Sequence, residues 1–272
     1  MSSTHAIETT DLTKRYGSVT ALESLSLSVP EGTVYGFLGP NGAGKTTTMR
    51  LLTTLSEPTS GTATVAGADV TDRDAVAARI GYLPEEPPLY DELTGREQLT
   101  YVAGLRDLPD DRVRDRVAEL TDLLDLDALD RRIEGYSSGM RRKLGFIQAV
   151  LHEPPVLFLD EPTNGLDPRA ARALRNTLDR LADGGTTVFL STHVLPVVDE
   201  HADTVGVLAD GRLVAEGPPS ELKRRAEGDG TGDRTLEEVF LEVTAEDPAA
   251  GEGAGGATDR ATTAEAEGRT DG

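Results

Sequence analysis

No cysteine occurs in the 272 residues, so neither a disulfide framework nor a thiolate metal site can form. The four histidines, His5, His152, His193 and His201, show no spacing that would gather them on one metal ion. No apolar run approaches the length of a membrane span, and the opening Met-Ser-Ser-Thr-His-Ala-Ile-Glu has no basic segment followed by an apolar one. The expectation is a chain made and kept in the cytoplasm, peripheral on the inner face of the cell membrane through a partner. Lysine is scarce, found only at Lys14, Lys45, Lys143 and Lys223, and 48 acidic against 27 basic residues leave a net charge of -21. A surface of that sign argues against sequence-independent nucleic-acid binding, which needs cations to neutralise phosphates. Any phosphate contact must be local.

The stretch 245–272 holds seven acids against Arg260 and Arg269, so it supplies only 5 of the 21 excess negative charges and the folded body is itself acidic. Charge repulsion opposes a compact body of that kind unless salt screens it. The excess of Asp and Glu with little Lys resembles proteins of salt-loving organisms. The length suits one α/β domain with appendages.

What the chain does contain is Gly-Phe-Leu-Gly-Pro-Asn-Gly-Ala-Gly-Lys-Thr-Thr at 36–47, following an apolar run of strand type, Val34 to Leu38. Gly39, Gly42 and Gly44 permit φ/ψ values and close approaches that a Cβ obstructs. With Pro40, Asn41 and Ala43 between them, consecutive N–H groups can turn inward on phosphate oxygens. A helix starting near Lys45 adds its positive end. The spacing GxxxxGK[ST] puts Lys45 at the β- and γ-phosphates, Thr46 on Mg²⁺ and Thr47 beside them. A nucleoside triphosphate is the expected ligand, although this loop alone does not separate kinases, GTPases, helicases and transport ATPases.

Strand-like alternation over 5–38, with a turn at Pro30-Glu31-Gly32, predicts an antiparallel sheet feeding the loop. Helical spacing runs from Lys45 to about Leu55, and Thr62–Ala66 and Ile80–Leu83 read as short strands. From 88 to 152 three helical patterns follow without a strand. Thr94 and Glu97 have capping-box spacing, Val113, Val117, Leu120 and Leu124 form one stripe, and Met140, Leu144, Ile147 and Leu151 form another. Strands return at Val156–Leu159, Thr187–Ser191 and a hairpin around Asp210-Gly211. Helix signals alternate with these strands, which predicts a parallel sheet with crossover helices. Ser220 can cap a short helix, 228–232 reads as a linker, Leu236, Val239, Phe240 and Val243 form an apolar stripe, and 245–272 reads as disordered. The expected domains are 5–220 with a helical subdomain at 88–152, a helical appendage at 221–244 and an acidic tail at 245–272.

Val-Leu-Phe-Leu-Asp-Glu at 156–161 is a buried strand ending in two carboxylates, where α/β sheets place nucleotides. Asp160 is positioned to hold Mg²⁺ through its water shell, and Glu161 to polarise an attacking water. An acidic strand-to-loop junction on an acidic protein would look the same. Tyr136-Ser137-Ser138-Gly139-Met140 opens the next amphipathic helix, where Ser137 could be no more than a cap.

Together with Asn164-Gly165-Leu166-Asp167 and Ser191-Thr192-His193, in this order, these segments resemble the nucleotide-binding subunit of an ATP-binding-cassette (ABC) transporter over about residues 5–220. The resemblance implies a P-loop NTPase core, a parallel sheet with flanking helices. It carries an N-terminal antiparallel β subdomain and an inserted all-helical subdomain. It implies ATP and Mg²⁺ held between one copy's phosphate loop and a second copy's Ser137 and Gly139, with hydrolysis driving a separate membrane permease. His193 matches the γ-phosphate-contacting histidine, Asp167 the aspartate that orders the subunit interface, and Tyr16 the aromatic that stacks on adenine. A bland hydrogen-bonded histidine, a helix N-cap before Pro168 and a turn tyrosine are the plain alternatives.

Two departures stand out. Glu85 follows Tyr82-Leu83-Pro84 where the family usually has a metal-ligating glutamine, adding charge beside Asp160 and Glu161. Ser138 and Met140 replace the common glycine and glutamine; Met140 cannot complete a capping box, and Ser138 is restricted if its φ must be positive. Both changes resemble a branch of ABC export ATPases, as does the Leu236–Val243 stripe. The segment 86–92, carrying Leu89 and Tyr90, lies where the family docks a permease helix; it could also be a plain loop. A soluble ABC ATPase is the alternative, but translation-type members carry two such domains and DNA-acting members long coiled coils, neither of which is present. A P-loop kinase or GTPase would leave unexplained the helix opened by Tyr136–Met140, which matches the ABC family's signature helix.

Overall fold

The computed structural model describes residues 5–226 and 236–245. Alternating apolar residues at the start of the chain fold into two long strands, β1 (His5–Tyr16) and β2 (Val19–Pro30), paired antiparallel. Ile7, Leu12, Leu22, Leu25, Leu27 and Val29 all turn inward and are buried. The spacing from Leu22 to Leu25 breaks the period of two, and the pairing register shifts beside Asp11 and Ser24, whose φ values are 49° and 48°. Such a bulge inserts one residue and returns the following leucines to the core face.

The chain leaves this hairpin into β3 (Val34–Leu38) and α1 (Lys45–Leu52), then returns as β4 (Ser60–Val65) and β5 (Ala68–Asp69) to give a four-stranded sheet ordered β2-β1-β4-β5. After a short α2 (Arg73–Ala77) comes β6 (Ile80–Leu83). The helices α3 (Gly95–Leu105), α4 (Asp110–Leu124) and α5 (Ser138–Val150) follow with no strand between them. The sheet resumes with β7 (Val156–Asp160), α6 (Pro168–Asp183), β8 (Thr187–Ser191), α7 (Leu195–His201) and the hairpin β9 (Thr204–Ala209) and β10 (Arg212–Gly217). This second sheet is ordered β10-β9-β3-β8-β7-β6, parallel except for β10.

Every residue of β3, β7 and β8 is buried, as expected of strands covered on both faces. Phe189 at the centre stacks on Tyr35 with ring centroids 5.3 Å apart and packs against Phe37 and Phe158 at 5.2 and 5.7 Å. On one face this layer shares a core with the four-stranded sheet through Ile7, Leu25, Met49 and Val65. On the other face it continues into the helical region through Leu99, Leu120, Leu144, Ile147 and Leu157. The Thr94–Glu97 capping box is formed, which fixes the start of α3.

The last two helices, α8 (Pro219–Ala226) and α9 (Leu236–Ala245), pack on the body: Leu222 and Leu236 are buried beside Leu38, Val198, Val205 and Val207. Helix α1 stops three residues short of the sequence expectation. Thr53 turns its hydroxyl back onto the Met49 carbonyl at 2.7 Å, and Thr54 takes a φ of 61°. The expected linker at 228–232 and the tail beyond 245 lie outside the described residues. Among the described residues, no helix is long and apolar enough to cross a membrane.

Candidate active site

Strand β3 delivers the glycine loop to the carboxyl end of the parallel sheet, where β7, β8 and β9 also end. A Cβ on Gly39 would lie 2.5 Å from the Leu208 carbonyl oxygen, and one on Gly44 2.6 Å from that of Ala21. Both contacts are with backbone, so only glycine lets the loop lie this close to its supports. Gly44, at φ 109°, is the N-cap of α1 and gives no side-chain cap, which leaves the first N–H groups free for an anion. Buried Ala43 anchors the turn, while Pro40, Asn41, Gly42 and Thr46 are exposed. Lys45 is 8% exposed and donates to the Gly39 and Pro40 carbonyls at 2.6 and 3.2 Å. Burial pushes its pKa down, against the opposing pull of Glu161, Asp160 and Glu85.

Asp160 ends β7 in register with Ser191 of β8, whose hydroxyl donates to its carboxylate. Glu161 follows in the left-handed region at φ 48°, a conformation that costs a non-glycine residue about 1 kcal/mol and recurs at functional sites. Its N–H donates to the Ser191 carbonyl at 2.9 Å. Its two carboxylate oxygens meet the Thr192 hydroxyl at 3.0 Å and His193 Nδ1 at 2.8 Å. The carboxylate is thereby buried and oriented by consecutive residues after β8. Tyr82, behind this site, has its pKa pushed up to about 12 by burial and by Asp160.

These groups line one cleft of about 310 Å³: Asn41, Gly42, Gly44, Lys45, Thr46 and Thr47 from the loop side, facing Glu85, Asp160, Glu161 and His193, with Ala21 and Asn164 at its margin. Thr46, Asp160 and Glu85 offer only oxygen donors, the set a hard cation such as Mg²⁺ takes. Among the described residues no three His, Cys, Asp or Glu side chains could hold a metal by themselves.

The remaining expected residues lie outside this cleft lining. Tyr16 ends β1, 48% exposed, with Lys14 Nζ 5.0 Å from its ring centroid. Ser137 and Ser138 are exposed at the start of α5, where Ser137 Oγ accepts from the Met140 N–H at 3.3 Å. Ser138 has no positive φ, so serine in the glycine's place carries no backbone strain; its hydroxyl points to the Gly165 carbonyl at 3.5 Å. Gly139, beside them, is half-exposed. Asp167 accepts from the Arg169 and Ala170 N–H groups at 2.9 and 3.0 Å, and the Ala170 bond above all holds its carboxyl below the usual range. It therefore does cap α6, while remaining exposed.

Ser191 and Thr192 were not picked out individually from sequence as ligands of Asp160 and Glu161; the pairing of β7 with β8 is what brings them there. Arg142, in a run of three basic residues that carries no motif signal, was not singled out from sequence, yet its side chain is buried and donates to the Pro84 carbonyl at 2.9 Å. The loop residue Leu89 is half-buried against the helical core, whereas Tyr90 is 52% exposed.

Residues 22–164 match the ABC transporter family. The chain is 46% identical over 222 residues to the daunorubicin/doxorubicin resistance ATP-binding protein of Streptomyces peucetius, covering 81% of this chain and 67% of that protein. Among solved structures, the ATP-binding subunit of an ABC transporter superposes with a TM-score of 0.82 at 32% identity, covering 88% of this chain and 99% of the other. An ATP-binding cassette in a dimeric post-hydrolysis state bound to ADP and Pi shares the fold, with a TM-score of 0.72 at 23% identity over 78% of this chain and 98% of its own. The matched segment includes the glycine loop and both carboxylates at the end of β7, and the protein belongs to the ABC transporter family as an ATP-binding, ATP-hydrolysing subunit.

Proposed function

We propose that two copies of this chain close around two ATP molecules and drive a separate membrane permease from its cytoplasmic side, in the direction of export. The observation that carries the shared site is the position of Ser137 and Gly139. They form an accessible helix start outside the cleft of their own chain, with unpaired N–H groups and the positive end of a thirteen-residue helix. A dimeric cassette among the solved structures of this fold supports the pairing, and the resistance function named for the Streptomyces relative supports export.

In this reading the loop N–H groups and Lys45 bind the β- and γ-phosphates, and Tyr16 offers an exposed face to adenine. Thr46, Asp160 and Glu85 hold Mg²⁺, which when bound polarises the phosphoryl oxygens. Glu161 accepts the proton of the attacking water, and its bonds to Thr192 and His193 fix the direction of its lone pairs. His193 orients the water and the γ-phosphate, and Ser137 and Gly139 of the second copy close the far side. Asp167 lies at the seam between copies. ATP shifts the pair toward closure because only the closed pair contacts it from both sides.

The test is isolation of the tagged full-length chain from membranes of its own host. A multi-span membrane protein that copurifies and raises the ATPase rate is the expected result. A chain found with ribosomes, or fully active alone and never with membranes, contradicts the transport reading.

A further inference from the structure

Helix α5 touches the loop after β6 at two points one turn apart. Arg142, 6% exposed, donates through Nη1 to the Pro84 carbonyl at 2.9 Å. Three residues on, Gly145 lies so close to the same loop that a Cβ there would fall 2.6 Å from Pro87 Cβ and 3.0 Å from Leu83 Cδ1. Glu85 lies between the two contacts, with its carboxylate lining the nucleotide cleft.

The charge arrangement points the same way. Three carboxylates, Glu85, Asp160 and Glu161, face the cleft, and Lys45 is the one lysine or arginine in its lining. Burial lowers the pKa of Arg142, and Glu85, Asp160 and Glu161, in that order, act against the lowering. A second buried cation therefore stands behind the acidic cluster. It lies on the helix whose first turn carries Ser137 and Gly139.

We propose that Arg142 is a positioning residue: it ties the Pro84–Glu85 loop to α5 and offsets the charge of Glu85, so that the carboxylate reaches the cation site in a place set by the signature helix. A movement of α5 is then carried directly to Glu85 and to the loop beyond it. Arg141 provides the contrast. It reaches away to Asp91 at 2.6 Å and to the Ile133 carbonyl at 3.2 Å, and makes no contact with Pro84.

The inference rests on the assignment of the cleft to MgATP. The experiment measures binding of a fluorescent ATP analogue with and without Mg²⁺, and ATPase against free Mg²⁺, for the full chain and for Arg142→Gln, Glu85→Gln, the double variant, Gly145→Ala and Arg141→Gln. Arg142→Gln is expected to raise the Mg²⁺ needed for half-maximal rate at least fivefold while leaving metal-free analogue binding within twofold. Gly145→Ala, which presses on Pro87, is expected to reproduce the shift, and Arg141→Gln to leave it unchanged. In the Glu85→Gln background the effect of Arg142→Gln should fall below twofold. Equal Arg142→Gln effects in both backgrounds, or an equal shift from Arg141→Gln, would overturn the proposal. So would metal-free binding lost together with rate, which would make Arg142 a residue of the fold only. If the unaltered chain fails to bind the analogue, the nucleotide assignment itself is at fault.

Discussion

Glu161 and His193 are joined by a 2.8 Å hydrogen bond between a buried carboxylate and an imidazole whose side chain is 57% exposed. The pair spans two adjacent parallel strands, and the Thr192 hydroxyl holds the other carboxylate oxygen. Removing the ring therefore frees one oxygen of the Glu161 carboxylate as well as taking a polar group from the cleft. His193→Ala is expected to lower kcat by about 10²–10³, a typical range for loss of an acid–base or water-positioning group, with little change in nucleotide affinity. Thr192→Val should cost less, about tenfold, because His193 still orients Glu161. Steady-state kinetics with both variants checks the order.

Lys45 donates to two carbonyls of its own loop and sits within the field of three carboxylates. Lys45→Ala should weaken ATP binding by about 10–100-fold, the range for losing a hydrogen bond to a charged group. Calorimetric titration reads this directly, and unchanged affinity would remove the lysine from the phosphate site.

The appendage is held by apolar burial. Leu222 is 2% exposed and packs with Leu236 against Val198, Val205 and Val207. Leu222→Ala is expected to cost about 2–5 kcal/mol in urea unfolding, the range for a truncated core leucine. A loss under about 1 kcal/mol would mean that the final helices are not seated on the sheet.

His152, half-buried just after α5, has Nε2 bonded to the Ile80 carbonyl at the start of β6 at 2.9 Å. Burial, with Arg106 adding to it, pushes its pKa down from 6.5 to about 4. The unfolded chain therefore takes up this proton first as pH falls. Stability from the neutral ring is full above pH 6.5, is lost progressively below it, and reaches its limit near pH 4, at most about 3 kcal/mol. The difference in unfolding free energy between the unaltered chain and His152→Gln should shrink across that window. A constant difference would show that His152 titrates normally.

Much of the fold was legible because burial follows period. The five-residue runs at Val156 and Thr187, apolar at their centres and buried along their whole length, became central strands, and the Thr94–Glu97 box and the Asp210-Gly211 turn depend on nearest neighbours alone. The short pieces β5, α2 and α7 span too few residues to show a period. In the cleft, the glycine loop and the two carboxylates were readable as contiguous motifs. The roles of Ser191 and Thr192 depend on which strands become neighbours. Arg142 was hidden for a different reason: it stands in a run of three basic residues of which it alone is buried, and only the folded contact of its guanidinium with the Pro84 carbonyl tells it from Arg141 and Lys143. Serine at 138 read as a backbone problem only while its conformation was unknown; as the first helical residue it needs no left-handed φ.

The central claim is that one chain's cleft is completed by another chain's Ser137 and Gly139. It is tested most directly by the Glu161→Gln variant, which keeps the carboxylate's shape but cannot accept the proton from water. Size-exclusion chromatography of this variant in saturating ATP and Mg²⁺ should give a stable pair, reverting to single chains without nucleotide or when Gly139→Asp is added. Single chains in saturating ATP, with nucleotide demonstrably bound to each, would contradict the account.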